Sequence, residues 1–169
     1  MIFNLFRKST APDAAFDAYR SIVAQSRQEK FYAQWGVPDT VTGRFDMISL
    51  HMALTLHRLR GVPEARGFSQ ALVEVFFRDM DQSIRELGVT DLGVPARIKK
   101  MGKAFYGLVG VLGTALETGD VAEVEAVLAR NVYGGANPQA ASLAQYLLDE
   151  ASRLTSIPTA TLTLSGAAA

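Results

Sequence analysis

Two aspartates, Asp79 and Asp81, are the residues whose type and spacing first suggest acid–base chemistry. Such chemistry needs two carboxyl groups that converge on one reacting group. In a helix, residues two positions apart point about 200° away from each other, so these side chains cannot share a face. The sequence therefore favours another role, in which one aspartate caps or pairs with a basic residue such as Arg44 or Lys99 and the other is solvated. An ion pair between helices is the expected outcome.

The two histidines, His51 and His57, are the candidate metal ligands. Their spacing places them about 120° apart around a helix, whereas a zinc site on one helix face uses histidines at i and i+4. Each is therefore expected to be a hydrogen-bonded or surface histidine, and no metal site is predicted. Ser49 and Ser69 lack the strand–turn–helix setting of a nucleophile elbow, and no cofactor motif is present. The sequence predicts a protein that is not an enzyme.

The strongest charge pattern is a cationic cluster in the first turns of one predicted helix. Its members are Arg97, Lys99, Lys100 and Lys103. The helix dipole disfavours positive charge at this end, so a compensating contact is expected. The face shared by Lys99 and Lys103 continues along Tyr106, Gly107, Gly110 and Gly113. Small residues at this spacing allow close approach of another helix, which is either an internal neighbour or an incoming transmembrane segment. The lysines are also suited to ribosomal RNA or anionic lipid.

Hydrophobic periodicity predicts helices along the chain and no sheet. The predicted helices run over about 12–28, 45–60, 65–87, 94–118, 120–131 and 138–155. The helix at 45–60 has little polar surface, so it is expected to be central and contacted on several sides. The fold prediction is an all-α single-domain bundle of about six or seven helices. A flexible N-terminal segment over 1–11, a helical domain over 12–157 and a disordered tail over 158–169 are expected.

Length and composition exclude several classes of protein. The chain has 169 residues, and its 17 basic residues balance its 17 acidic ones, so specific DNA binding is not expected. It contains no cysteine, which excludes disulfides and thiolate metal sites. The longest nearly uncharged run, 104–116, is shorter than the roughly 20 residues of a transmembrane helix, and the first residues do not resemble a signal peptide. The apolar start MIFNLF, followed by Arg7 and Lys8, favours either a bilayer-surface contact or packing on the bundle.

Two dense motif blocks resemble one known family. The first block reads FY at 31–32, GVPDT at 36–40 and GRFDMI at 43–48, followed by Leu50 and His51. The second lies within FFRDMDQSIRELGVTDLGVPARIKKMGKAFYG at 76–107. Together they cover about residues 30 to 110 and resemble the ubiquinol-cytochrome c chaperone family. By this resemblance the chain is identified as a bacterial relative of the mitochondrial chaperones of the cytochrome bc1 complex.

The resemblance implies a helical assembly factor that binds newly made cytochrome b and assists assembly of this respiratory-chain complex, without catalysis and without a cofactor. The implied partner is cytochrome b or another nascent membrane protein, with the ribosome, a small helper subunit and an anionic membrane surface as further candidates. The expected location is the cytoplasm, including the periphery of the inner membrane. The charged rim of the client site is expected at Arg44, Asp46, Asp79, Asp81, Lys99, Lys103, Tyr106 and Gly107.

Two alternatives stay open at this point. One is a peripheral membrane or ribosome-associated protein that binds a different membrane-protein client. The other is a small-molecule-binding helical protein or an enzyme of unknown chemistry, in which the same charged residues line a pocket.

Overall fold

The structure, a computed structural model, describes the backbone of residues 11–165 and the side chains through residue 163. The helices in this range are α1 Ala11–Ser26, α2 Glu29–Ala33, α3 Val41–Leu59, α4 Arg66–Glu86, α5 Val94–Thr118, α6 Val121–Asn131, α7 Ala140–Ser156 and α8 Thr159–Ser165. A short 3-10 turn, Pro63–Ala65, precedes α4. Between residues 11 and 165 there is no strand, which confirms the predicted all-α bundle. The apolar start and nearly all of the predicted flexible segment lie outside the described residues.

The central helix of the bundle is α3, as its apolar sequence predicts. Its residues from Met47 to Thr55 are all buried, and α1, α4, α5 and α7 pack around it. The helix begins at Val41, earlier than the hydrophobic pattern indicates, because Thr40 caps it. The Thr40 hydroxyl oxygen accepts a hydrogen bond from the Gly43 N–H at 3.1 Å, which satisfies a backbone donor of the first turn.

A close backbone approach explains the glycine in the first motif block. A Cβ atom on Gly43 would lie 1.9 Å from the carbonyl oxygen of Pro38, so a side chain cannot be accommodated there. The turn at 36–40 folds back onto the first turn of α3, and the Thr40 N–H donates to the same Pro38 oxygen at 2.8 Å. The separate pieces of the motif, GVPDT and GRFDMI, therefore form one local structure.

The end of the described chain differs from the predicted disordered tail. Residues 159–165 form α8, which packs against α1, and Leu162 is 0% exposed within the core. Arg58 of α3 also ties this end to the bundle, since its guanidinium donates to the carbonyl oxygens of Leu154 at 3.0 Å and Ile157 at 2.9 Å. The tail is too polar for its own sequence to predict a helix. It is held in place by the buried Leu162 and by the hydrogen bonds of Arg58 to the residues that precede α8. Residues 166–169 lie outside the described range.

None of the helices in the described part of the chain is both long and apolar enough to cross a membrane.

Candidate functional site

Four of the predicted site residues lie together on the exposed face of α5. Lys99 and Lys103 are exposed and form no ion pair with any residue between 11 and 163. Tyr106 is 58% exposed, which is unusual for so large an aromatic side chain. Gly107 exposes bare backbone, because a Cβ atom there would meet nothing within 4 Å.

The glycines that follow divide the predicted small-residue face into two parts. A Cβ atom on Gly110 would also meet nothing within 4 Å, whereas one on Gly113 would lie 3.5 Å from Nδ1 of His57 on α3. An internal neighbour therefore covers Gly113 but leaves Gly107 and Gly110 uncovered among the described residues.

A chain of aromatic rings holds Tyr106 in place. Its ring stacks on Phe77 of α4, with ring centroids 6.0 Å apart, and meets Phe105 at 5.2 Å. Both of these rings contact the fully buried Phe76, at 5.1 and 4.8 Å respectively. Ring pairs at these separations are mutually attractive, so the exposed tyrosine is fixed to the core.

Two open depressions flank Tyr106, and together with its ring they form what is called here the α5 groove. The depression toward α4 has a volume of about 690 Å³ and includes Leu56, Ser69, Val73, Phe77 and Tyr106 in its lining. The depression toward α6 has a volume of about 610 Å³ and includes Gly107, Gly110, Val111, Ala126 and Val127. Glu123 and Arg130 stand at its α6 side. The groove thus has an apolar or bare-backbone floor with charged residues around it.

Arg44 lies apart from the α5 groove. Its guanidinium donates to the Asp39 carboxylate at 2.8 Å, and both side chains are exposed. It lines a cavity of about 810 Å³ between the end of α1, α2 and the start of α3, together with Arg27, Glu29, Tyr32 and Asp39. The first motif block therefore surrounds a cavity of its own.

The prediction that Asp79 or Asp81 pairs with a basic residue is confirmed for Asp81, but its partner is Arg85 on the same helix and not Arg44 or Lys99 on another helix. Asp79 instead accepts a hydrogen bond at 2.7 Å from the phenol of Tyr19 on α1, a neutral donor. Burial, with the hydrogen bond and charge of Asp79, raises the pKa of the Tyr19 phenol far above its usual value. The two aspartates point in different directions, as the helix geometry predicts, but the partner of Asp79 comes from a helix that its own sequence does not indicate.

Asp81 pairs within its own end of the bundle. Its carboxylate accepts from Arg85, one turn further along α4, at 2.7 Å. The same guanidinium also reaches Asp91 in the loop after α4, at 2.5 Å. Exposed pairs of this kind contribute little stability.

Asp46 is a half-buried carboxyl group that forms no hydrogen bond or ion pair with the side chains or backbone described. Burial raises its pKa to about 7, because the charged form loses water and gains no partner. This side chain is therefore partly protonated near neutral pH.

A buried polar network around His51 was not predicted as a unit. The His51 Nδ1 lies 2.8 Å from the Met47 carbonyl oxygen, and Nε2 lies 2.8 Å from the hydroxyl of Tyr146 on α7. Because a carbonyl oxygen only accepts, Nδ1 carries the proton and Nε2 accepts from the tyrosine. The Tyr146 oxygen in turn accepts from the Gln25 amide at 2.9 Å. Burial lowers the pKa of His51 to about 4, so the ring is neutral at pH 7.

The Lys30 ammonium lies against three aromatic rings, one of which, Tyr146, belongs to this network; the lysine and the three rings are called the aromatic cage. The Lys30 ammonium lies 5.3, 5.2 and 4.8 Å from the ring centroids of Phe31, Trp35 and Tyr146. These distances are within the range of cation–π attraction. The cage joins α2 to α7, and Phe31 belongs to the first motif block.

The comparisons with known proteins agree with the motif blocks. The sequence model of the family described as ubiquinol-cytochrome C chaperone matches residues 33–169. The chain belongs to this family. The crystal structure of the Cbp3 homolog from Brucella abortus is similar to this chain, with 42% sequence identity, a TM-score of 0.86, and coverage of 100% of this chain and 96% of that one. No match was found among curated proteins.

In this chaperone, Ser26 and His51 lie close together but are not arranged as a catalytic nucleophile and its base. Ser26 Oγ lies 3.2 Å from His51 Nδ1, the spacing of a nucleophile and its base. The hydroxyl nevertheless donates to the Ile22 carbonyl oxygen at 2.7 Å, and Nδ1 already donates to Met47. Both side chains are fully buried. The serine and histidine therefore hold α1 against α3.

The sequence predicted that Tyr106 and Gly107 share a helix face with the lysines, but it did not decide whether another helix of the bundle covers that face. The buried network of the chaperone was not predicted. Tyr146 was missed because it lies 95 residues from His51 and outside both motif blocks. The only available signal was His51 itself, a histidine within an otherwise apolar helix.

Proposed function

We propose that this chaperone binds newly made cytochrome b and assists assembly of the cytochrome bc1 complex without catalysing a reaction. The observation that carries the proposal is the α5 groove, in which an exposed tyrosine and two uncovered glycines lie between apolar depressions. Family membership supports a chaperone role, and the groove supplies a surface on which such a role can operate.

The composition of the groove suits a hydrophobic helix from a nascent membrane protein. Gly107 and Gly110 allow the backbone of a client helix to come close to α5, as small residues do in contacts between membrane helices. Tyr106 offers a large apolar ring that its aromatic neighbours already hold in position, so little side-chain entropy is lost on binding. The client thus meets a prepared apolar surface.

The charged residues around the groove act on orientation more than on affinity. Lys99 and Lys103 precede Tyr106 by about two turns and one turn respectively, and both are exposed. Exposed charges steer a partner and set its direction but add little binding energy. They would place an acidic or carbonyl-rich end of the client toward the start of α5.

The shallowness of the groove favours reversible binding. Both depressions are open to solvent, so a client helix would be only partly covered. An assembly chaperone must release its client, and partial coverage gives faster dissociation than a closed cavity would.

The non-catalytic part of the proposal rests on how the ionisable groups are distributed. Asp46 and His51 have strongly shifted pKa values, but they lie on different sides of α3. The His51 ring is enclosed by its own hydrogen-bond partners. Neither group lines the 810 Å³ cavity beside Arg44. No pair of such groups converges on a space for a substrate within the described residues.

Site-specific crosslinking tests the proposal. A photo-crosslinking amino acid is placed at Val111 or Ala126, exposed residues that line the α5 groove and leave its glycines unchanged, in cells that make the bc1 complex. The matched control position is Val41, an exposed residue on α3. We expect cytochrome b to be crosslinked from both groove positions and not from Val41. Crosslinks to a different membrane protein would identify that protein as the client in place of cytochrome b. Equal crosslinking from Val41 would show that the α5 groove is not the client-binding surface.

Charge reversal tests the contribution of the lysines to client binding separately from that of the apolar groove floor. The Lys99→Glu, Lys103→Glu double variant should lower the yield of crosslinked cytochrome b several-fold while the thermal unfolding midpoint stays unchanged. An unchanged yield would exclude the lysines from client binding but leave Tyr106 and the glycines in place.

A further inference from the structure

The turn between α4 and α5 exposes two leucines. Leu92 is 93% exposed and Leu87 is 55% exposed, the former being the most exposed of the large apolar side chains described. The turn is nevertheless held in place, because the Thr90 carbonyl oxygen accepts from the N–H groups of Gly93 at 2.8 Å and Val94 at 3.2 Å. The Val94 side chain is buried and anchors the turn to the bundle. This ordered turn leaves two apolar side chains in contact with water, and a partner could cover them.

Positive charge is concentrated in the first turns of α5, the helix that follows these leucines. Arg97, Lys99 and Lys100 are exposed in the first two turns of α5, and none of them forms an ion pair within residues 11–163. Arg85 binds both Asp81 and Asp91, and Glu86 is exposed, so the segment from 81 to 100 keeps only a small net positive charge. The turn therefore exposes two leucines, and the helix start that follows it exposes three cations.

We propose that the α4–α5 turn docks on an anionic lipid surface. Leu87 and Leu92 would enter the boundary between headgroups and acyl chains, while Arg97, Lys99 and Lys100 bind lipid phosphates. Nucleic acid would satisfy the cations but leave the leucines in water, and an apolar protein patch would do the reverse. The interface of an anionic bilayer satisfies both at once. It also compensates the unfavourable position of three cations at the start of a helix.

Docking through this turn would set the height of the α5 groove above the membrane. Tyr106 lies twelve residues after the start of α5, which is roughly 18 Å along the helix axis. The groove would then stand close to the bilayer surface, where a membrane-protein client enters. Docking on a lipid surface does not depend on the client, because vesicles of pure lipid contain no client protein.

A fluorescent label tests the insertion of Leu92 in the full-length chain. The natural sequence has no cysteine, so a Leu92→Cys variant carries a single site for an environment-sensitive label such as NBD. With vesicles of phosphatidylcholine and phosphatidylglycerol at low salt, we expect the emission to rise and shift to the blue. The matched control is a labelled Val41→Cys variant, which should show no shift. Neutral phosphatidylcholine vesicles should give a much smaller change at Leu92.

Vesicle flotation then separates the contributions of the leucine and the cations. Leu92→Ser should weaken partitioning to the anionic vesicles about tenfold, since it removes an apolar side chain from the interface. Lys99→Gln and Lys100→Gln should each weaken it roughly fivefold. Val41→Ser and Arg66→Gln, which change exposed residues elsewhere, should leave partitioning unaltered.

Three outcomes would overturn the inference. The first is the absence of flotation with anionic vesicles. The second is flotation that the lysine variants abolish but Leu92→Ser leaves intact, which would indicate a purely electrostatic surface suited equally to RNA. The third is flotation that Phe3→Ser with Phe6→Ser abolishes while Leu92→Ser does not, which would assign the membrane contact to the N-terminal residues.

Discussion

Around His51, polar and aromatic side chains from α1, α2, α3 and α7 satisfy one another, whereas along α5 a tyrosine and two glycines face solvent. The first region contains the residue types that catalysis uses, including a serine, a histidine and a tyrosine in hydrogen-bond reach. The second contains almost none of them. Function in this chaperone is therefore to be sought where groups are left uncovered, because a group whose hydrogen bonds are all made internally has none left for a partner.

The largest expected contrast is between two tyrosines. Tyr146→Ala should lower the free energy of unfolding by about 3 kcal/mol, because it removes three ring contacts and leaves His51 Nε2 without its donor. Tyr106→Ala should lower it by less than about 1 kcal/mol, since the ring is mostly exposed, but should weaken client capture. Urea unfolding of both variants measures the difference, and equal losses would mean that the two regions do not differ as described.

Asp46 differs from both regions, because its carboxyl group is largely buried and has no hydrogen-bond partner among the described residues. The folded-state pKa of Asp46 is raised to about 7 from 3.8, so the folded chain binds a proton that the unfolded chain has lost. The stability contributed by the neutral form is present below about pH 4 and is lost as the pH rises through 7. Asp46→Asn, which cannot ionise, should therefore raise the free energy of unfolding by about 2 kcal/mol at pH 8 and leave it nearly unchanged at pH 4.

Unfolding of wild type and Asp46→Asn at both pH values measures this effect. Subtracting the two curves removes the opposite dependence that His51 contributes, since both proteins contain His51. A pH-independent difference would show that Asp46 has an ordinary pKa.

The uncovered glycines are expected to lower the free energy of unfolding while they favour client binding. Gly107→Ala and Gly110→Ala should each raise the free energy of unfolding by about 1 kcal/mol, because alanine favours the helix and its methyl group meets no neighbour. Both should weaken client crosslinking by holding the client backbone away. The matched control is Gly113→Ala, whose methyl group would contact His57 inside the bundle and should leave crosslinking intact. Thermal unfolding and crosslink yield are measured together, and weaker crosslinking in the control as well would separate the effect from the groove.

The smallest expected effect concerns two lysines. Lys30→Gln should lower the free energy of unfolding by about 0.5 to 1 kcal/mol through loss of the aromatic cage contact. Lys99→Gln should leave it unchanged, because that side chain has no partner among the described residues. The single tryptophan, Trp35, reports on the first change directly, since removal of the nearby cation should alter its emission. An unaltered emission spectrum would argue against the cage in solution.

The sequence predicted the helices better than the contacts of the charged residues. Helix ends depend on nearby residues, such as the Thr40 cap and the left-handed Gly119 that closes α5, and these signals are legible locally. The partner of Asp79, by contrast, is a tyrosine 60 residues away, and Asp81 pairs within its own helix, so the predicted ion pair between helices was wrong. The helix over 159–165 was missed for the same reason, since its burial depends on α1 rather than on its own composition.

By itself, the sequence determined an all-α bundle with α3 at its centre and, through two motif blocks, membership of a chaperone family. Only the tertiary structure decided which groups make contacts inside the bundle and which are left exposed for a partner. Gly107, Gly110 and Gly113 illustrate the limit, because they belong to one predicted helix face, yet only Gly113 is covered by a neighbour. Helical periodicity is a property of residues a few positions apart, whereas coverage depends on helices that are distant in sequence, and no local pattern records their distance.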